Sequence, residues 1–174
     1  GNGDVAAQDA TQHLIDTGSR RIAFIGGPNT LNMVKRRKHG YLQALRENRI
    51  PIDRSLVICD KIDFDIARQH TIDLLKGDYR PDAILAFNDI VTYAAFDAIK
   101  SCGLRIPEDV AIMGFTDGDT AAFVTPKLSA IMDQAHETGC KACQLLLENI
   151  AGDLRVRQEV VPMILKIRES SEKK

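Results

Sequence analysis

Apolar positions along this chain follow two rhythms that take turns from one end to the other. Short, largely apolar runs occur at Arg21–Ile25, Leu56–Cys59, Ala83–Phe87, Val110–Phe115 and Leu128–Met132, unbroken at Ala83–Phe87 and Val110–Phe115. Runs of that length without polar alternation suit strands buried on both faces. Between them apolar residues recur at helical spacing: Ala7, Ala10 and Leu14 within Val5–Thr17, then Val34, Tyr41, Leu42 and Leu45 within Asn32–Asn48, then Ile90, Val91, Ala94, Ala95, Ala98 and Ile99 after Asn88-Asp89. Further helices are predicted over Asp63–Lys76 and over Gln134–Ile150, the second carrying Ala142, Leu145, Leu146 and Leu147. Gly18, Gly77 and Gly103 supply stops, and Pro51 keeps the second helix from continuing. The alternation predicts an α/β fold, a doubly wound parallel sheet with helices on both faces.

The rest is less regular. Thr116–Pro126 reads as irregular with one helical turn at Asp119–Phe123. Glu159–Ile167 is rich in β-branched residues and predicts a last strand, with Pro162 marking an edge or a bulge. The polar tail Glu169–Lys174 is expected to fray.

This pattern fixes where chemistry can gather. Parallel strands point their C-terminal ends the same way, and open α/β sheets bind ligands there. Asn88 and Thr116-Asp117 each follow a predicted strand directly, and Arg37 lies early in the helix after the first strand. All are delivered to one rim. Arg37 offers a planar fork of donors, Asn88 an amide and Thr116 a hydroxyl, with Asp117 as an acceptor. Such a set suits a polyhydroxylated ligand, neutral or acidic.

Composition changes this picture little. With 174 residues the default is one domain, and the hydrophobic fraction of 44% is ordinary. A formal net charge of −1 gives no reason to expect this chain itself to hold nucleic acid or a membrane. Cys59, Cys102, Cys140 and Cys143 lack the spacings of a disulfide scaffold and read as free thiols in a reducing compartment.

Other motifs have plain readings. Gly26-Gly27-Pro28-Asn29 lies between a strand and a helix but lacks both dinucleotide and P-loop spacing, so it reads as a tight turn. The basic run Lys35-Arg36-Arg37-Lys38 spreads around a helix, with Arg37 on the inner side one turn before Tyr41. His136, Cys140 and Cys143 share a helix face at ligand-like spacing, yet no fourth ligand stands out, and both thiols are expected to be buried in the core. His13, His39 and His70 suggest no role. No nucleophile elbow and no positioned acid–base pair occurs. No catalysis, cofactor or metal is expected.

The segments HLIDTGSRRIAFIGG, RRKHGYLQAL, PDAILAFND, GLRIPEDVAIMGFTD, TPKLSAI and LKIRESS, in that order, resemble the effector-binding portion of LacI/GalR (lactose-repressor-type) bacterial regulators. The resemblance covers nearly the whole chain. It implies a periplasmic binding protein-like fold in which two lobes close on a small effector, here a sugar, sugar acid or nucleoside. Residues 1–133 would be the C-terminal lobe, and 134–174 a crossover helix with a returning strand. The first lobe and a DNA-binding helix-turn-helix would lie outside this chain, so operator DNA would be a partner only through them. The helix Gln134–Ile150 would then lack part of its packing surface.

Carried over by position, the resemblance implies effector contacts from Arg37 and Asn88, an apolar or stacking contact from Ile62 or Phe64, and a lining role for Asp133. The family commonly has an acid where this chain has Thr116. The resemblance further implies a cytoplasmic homodimer, and the apolar stretch Thr120–Val124 places its interface at Tyr93, Phe123 and neighbours. A secreted sugar-binding protein for uptake, or a small α/β nucleotide-binding enzyme, are the competing readings.

Overall fold

The computed structural model describes residues 2–116, 119–152 and 155–173. In chain order the elements are α1 (Gly3–Asp16), β1 (Ile22–Gly26), α2 (Asn32–Glu47), β2 (Val57–Cys59), α3 (Phe64–Lys76), β3 (Ala83–Ala86), α4 (Asp89–Ser101), β4 (Ala111–Phe115), β5 (Ser129–Met132), α5 (Ala135–Ile150) and β6 (Ile164–Lys166). They build one sheet in the order β2-β1-β3-β4-β5-β6. The first five strands are parallel, with Ile25 opposite Ala86, Ala86 opposite Gly114, and Phe115 opposite Ile131.

Alternate residues of each central strand feed two cores, as a sheet covered on both faces requires. Phe24, Leu85 and Met113 point to the side of α1 and α2, where they meet Leu14, Tyr41 and Leu45. Ile25, Ile84 and Ile112 point to the side of α3 and α4, where they meet Ala67, Leu75, Ala95 and Ile99. The doubly wound sheet predicted from the apolar runs is therefore the fold.

Close backbone approach makes one layer tight. A Cβ at Gly40 of α2 would stand 1.9 Å from the carbonyl oxygen of Asp4 in α1, so only glycine lets these helices pack as they do. Nearby, Tyr41 is buried, stacks on Phe24 at 5.5 Å and donates to the carbonyl of Ile22 at 2.8 Å. Burial pushes its phenol pKa well above the ordinary value.

Three expectations need correction. The last strand is only Ile164–Lys166 and runs antiparallel to β5, so the sheet is parallel with one reversed edge. β-Branched content marks a strand but carries no direction. Cys140 and Cys143 are exposed, because α5 has no buried residue at all. Its apolar side chains, Leu146, Leu147 and Ile150 among them, face outward.

The tail does not fray. Ser170 and Ser171 are buried: the Ser170 hydroxyl donates to the Ile112 carbonyl at 2.6 Å, and Ser129 Oγ and Ser171 Oγ lie 2.7 Å apart. His13 Nε2 reaches Ser171 Oγ at 2.9 Å, tying the tail to α1. Polar composition alone suggested solvent, but small hydroxyls can satisfy buried carbonyls.

Candidate functional site

The chain leaves β1 toward β2 on one side, then crosses to β3 on the other, so the order of the sheet reverses beside β1. Such switch points open a crevice at the carboxyl ends of the strands. Along that rim lies a pocket of ≈ 380 Å³ lined by Met33 and Arg37 of α2, Asn88 and Asp89 at the start of α4, Phe115 and Thr116 after β4, Ile131, Met132 and Asp133 after β5, and Ala135.

Arg37 dominates it. Only 5% of this residue is exposed. Its guanidinium carbon sits 3.7 Å from the Phe115 ring centroid and 5.2 Å from that of Phe87, and its Nη1 donates to the Phe87 carbonyl. Aromatic faces and a carbonyl thus replace water around the charge. Its Nε–H is buried with no partner among the described residues. Burial pulls the pKa down to about 10, opposed by Asp133 and then Asp89, so Arg37 stays cationic at neutral pH.

Asn88 does two jobs. Its Oδ1 accepts from the backbone N–H of Val91 at 3.0 Å, capping α4. What it chiefly offers the pocket is therefore its amide donor. Thr116 is fixed by the bond from its own backbone N–H to the Ile131 carbonyl at 3.2 Å, and its hydroxyl donates to Asp89 Oδ1. Asp133 is exposed at the pocket mouth.

The rim thus gathers Arg37, Asn88, Thr116 and Asp133 from four segments. Ile62 and Phe64 do not join them. Ile62 is half-buried over Gly27, where a Cβ would come within 2.7 Å of its side chain, and Phe64 is exposed at the first residue of α3. Asp117 lies outside the described residues. Among the described residues no group of three or more His, Cys, Asp or Glu is arranged to hold a metal, and no helix is long and apolar enough to cross a membrane.

Sequence reasoning missed Asp89 and the methionine wall of Met33 and Met132. Met33 stands one helical turn before Arg37, so spacing alone could have found it. Asp89 directly follows Asn88 on the rim, and it supplies the carboxylate that Thr116 lacks.

A parallel sheet with a polar pocket on one rim is the plan of one lobe of a periplasmic binding protein-like domain, and residues 11–171 match the family of that description. The chain belongs to this family, and within it to the effector-binding region of LacI/GalR-type regulators. It is 35% identical over 141 residues to the ribose operon repressor of Haemophilus influenzae, covering 81% of this chain and 42% of that protein. It is 33% identical over 147 residues to the transcriptional repressor CytR of Escherichia coli, covering 84% and 43%. A LacI-family regulatory protein from Chloroflexus aggregans superposes with a TM-score of 0.92 at 30% identity, over 97% of this chain and 61% of that one. The transcriptional regulator CelR, solved with cellobiose, gives 0.87 at 30% identity, over 97% and 52%. The chain spans less than half the length of these two curated repressors.

Proposed function

We propose that this chain is the ligand-sensing half of a transcriptional regulator, not an enzyme. It binds a small polar effector, a sugar, sugar acid or nucleoside, between this lobe and a second one. Closure on the effector then changes how a DNA-binding domain outside this chain grips its operator. The observation that carries this reading is Arg37: a cation buried against two aromatic rings, with an unpartnered Nε–H, at the wall of a polar rim pocket. A buried donor without a partner is costly unless something else completes it. The names of the relatives agree, since they are repressors, and CelR holds cellobiose. Asn88, Thr116 and Asp133 provide further effector contacts, and Asp117 is proposed as one more from its place in the sequence after Thr116. Ile62 or Phe64 adds an apolar contact on closure.

Such a regulator works in the cytoplasm, where its operator is. It also acts as a homodimer, with Tyr93 and the outward Phe123 at the contact. Phe123 is 85% exposed, just past the turn Thr120–Ala122.

A thermal-shift screen of sugars, sugar acids and nucleosides on the full-length protein identifies the effector. Titrating operator release with that compound then tests Arg37→Ala. Losing a charged hydrogen-bond partner costs about 1.5–3 kcal/mol, roughly ten- to a hundredfold in affinity. An unshifted midpoint in Arg37→Ala would move the pocket elsewhere.

A further inference from the structure

The charges around the pocket restrict what it accepts. Its described lining holds one cation, Arg37, and two carboxylates, Asp89 and Asp133. The cation is answered in part: its guanidinium rests on Phe115 at 3.7 Å and donates a hydrogen bond to the Phe87 carbonyl, which leaves the Nε–H open. Both carboxylates also act on it through space. Arg36, which borders the adjoining cleft, is paired with Asp4 at 2.9 Å. The N-terminus of α4 would ordinarily welcome an anion, but Asp89 occupies its first turn and Asn88 caps it. Asp133, by contrast, makes no ion pair or hydrogen bond among the described residues and stands exposed at the mouth.

We propose that this lobe selects its ligand by charge, preferring an amine-bearing polyol to a neutral one and rejecting the corresponding acid, with Asp133 as the residue that sets the preference. The proposal rests on the effector-sensing reading above and narrows its ligand class. A ligand carboxylate would meet an arginine whose field two acids already offset, and would face both acids itself. Hydroxyls can take the Nε–H of Arg37 without that repulsion. An ammonium gains a partner in Asp133. The wall of Met33, Phe115 and Met132 receives the apolar face of the ring in every case.

The test uses full-length protein labelled at its methionine methyls. Met33 and Met132 line the pocket, so their signals, assigned by Met33→Leu and Met132→Leu, report occupancy. Three probes of one shape are titrated: glucosamine, glucose and glucuronate. Glucosamine should saturate the shifts at the lowest concentration and glucuronate at the highest. In Asp133→Asn, which disturbs no packing because the residue is exposed, the advantage of glucosamine over glucose should shrink by up to about fivefold. Glucuronate ahead of glucose, or an advantage unchanged in Asp133→Asn, overturns the charge assignment and leaves effector sensing standing. Silence of both methionines toward all three probes overturns the assignment too. Silence toward the compound that releases operator would remove the pocket itself.

Discussion

The guanidinium carbon of Arg37 lies 3.7 Å from the ring centroid of Phe115, so the last residue of β4 is the floor on which a cation from α2 rests. This contact joins the second helix to the centre of the sheet, and its strength can be measured. Phe115→Leu keeps an apolar side chain, though a smaller one, and removes the π face, and the cycle subtracts the volume lost. In a double-mutant cycle with Arg37→Met, read by urea denaturation, the coupling should be about 0.5–2 kcal/mol. Coupling near zero would mean that the ring only fills space.

Asn88 belongs to both the helix and the pocket, and the two roles separate by substitution. Asn88→Ala should lower stability by about 0.5–2 kcal/mol through the lost cap, and weaken effector binding. Asn88→Ser restores a capping oxygen but no amide. It should recover the stability, by thermal denaturation, while effector affinity stays low.

These roles were only partly legible in the sequence. Ala83–Phe87 and Val110–Phe115 declare buried strands because no polar residue interrupts them, and parallel strands then force Asn88 and Thr116 to one rim. That argument needs only connectivity. The placement of Ile62 needed more, because it depends on a side chain settling over Gly27, and nothing in the local pattern encodes that descent. Asp89 escaped notice for a related reason. Its bond from Thr116 joins two strand exits, a tertiary relation that neither segment carries alone. On α5, the general tendency of free cysteines to be buried suggested covered thiols, yet residue type does not report what covers a helix face.

Phe123 offers a clean test of self-association. Tyr93 is half-buried and its hydroxyl donates to Thr120 Oγ1 at 2.8 Å, so replacing it disturbs the fold locally. Phe123 lies outward. If the proposed homodimer forms through this face, Phe123→Arg should yield monomers by light scattering with its far-UV spectrum unchanged, because a symmetric contact would bury two unpaired charges. A dimer of unchanged strength would place the contact on another face.

His13 makes stability depend on pH. Burial is the largest influence and lowers its pKa below the ordinary 6.5, while Ser171, Glu172 and Asp16 pull the other way. The unfolded chain therefore binds this proton more readily than the folded one. The contribution of neutral His13 is complete above 6.5 and is lost as pH falls through that value toward the lower folded pKa. Denaturation midpoints followed from about pH 7.5 to about pH 5.5 should decline, and His13→Gln should flatten the decline. Equal slopes in both proteins would assign the dependence to other groups.

Met132 and Ile164 are paired across β5 and β6, so the excursion that contains α5 departs and returns at neighbouring points of the sheet. Both roots border Arg37: Asp133 and Ala135 on the outgoing side, Met163 on the return. A helix rooted in this way would act as a lever with its fulcrum at the cavity wall. Its 16 residues span about 24 Å, so a tilt of about 5° at the root carries Ile150 through roughly 2 Å. A displacement of a fraction of an ångström beside Asp133 would become, at the far end, a shift longer than a carbon–carbon bond.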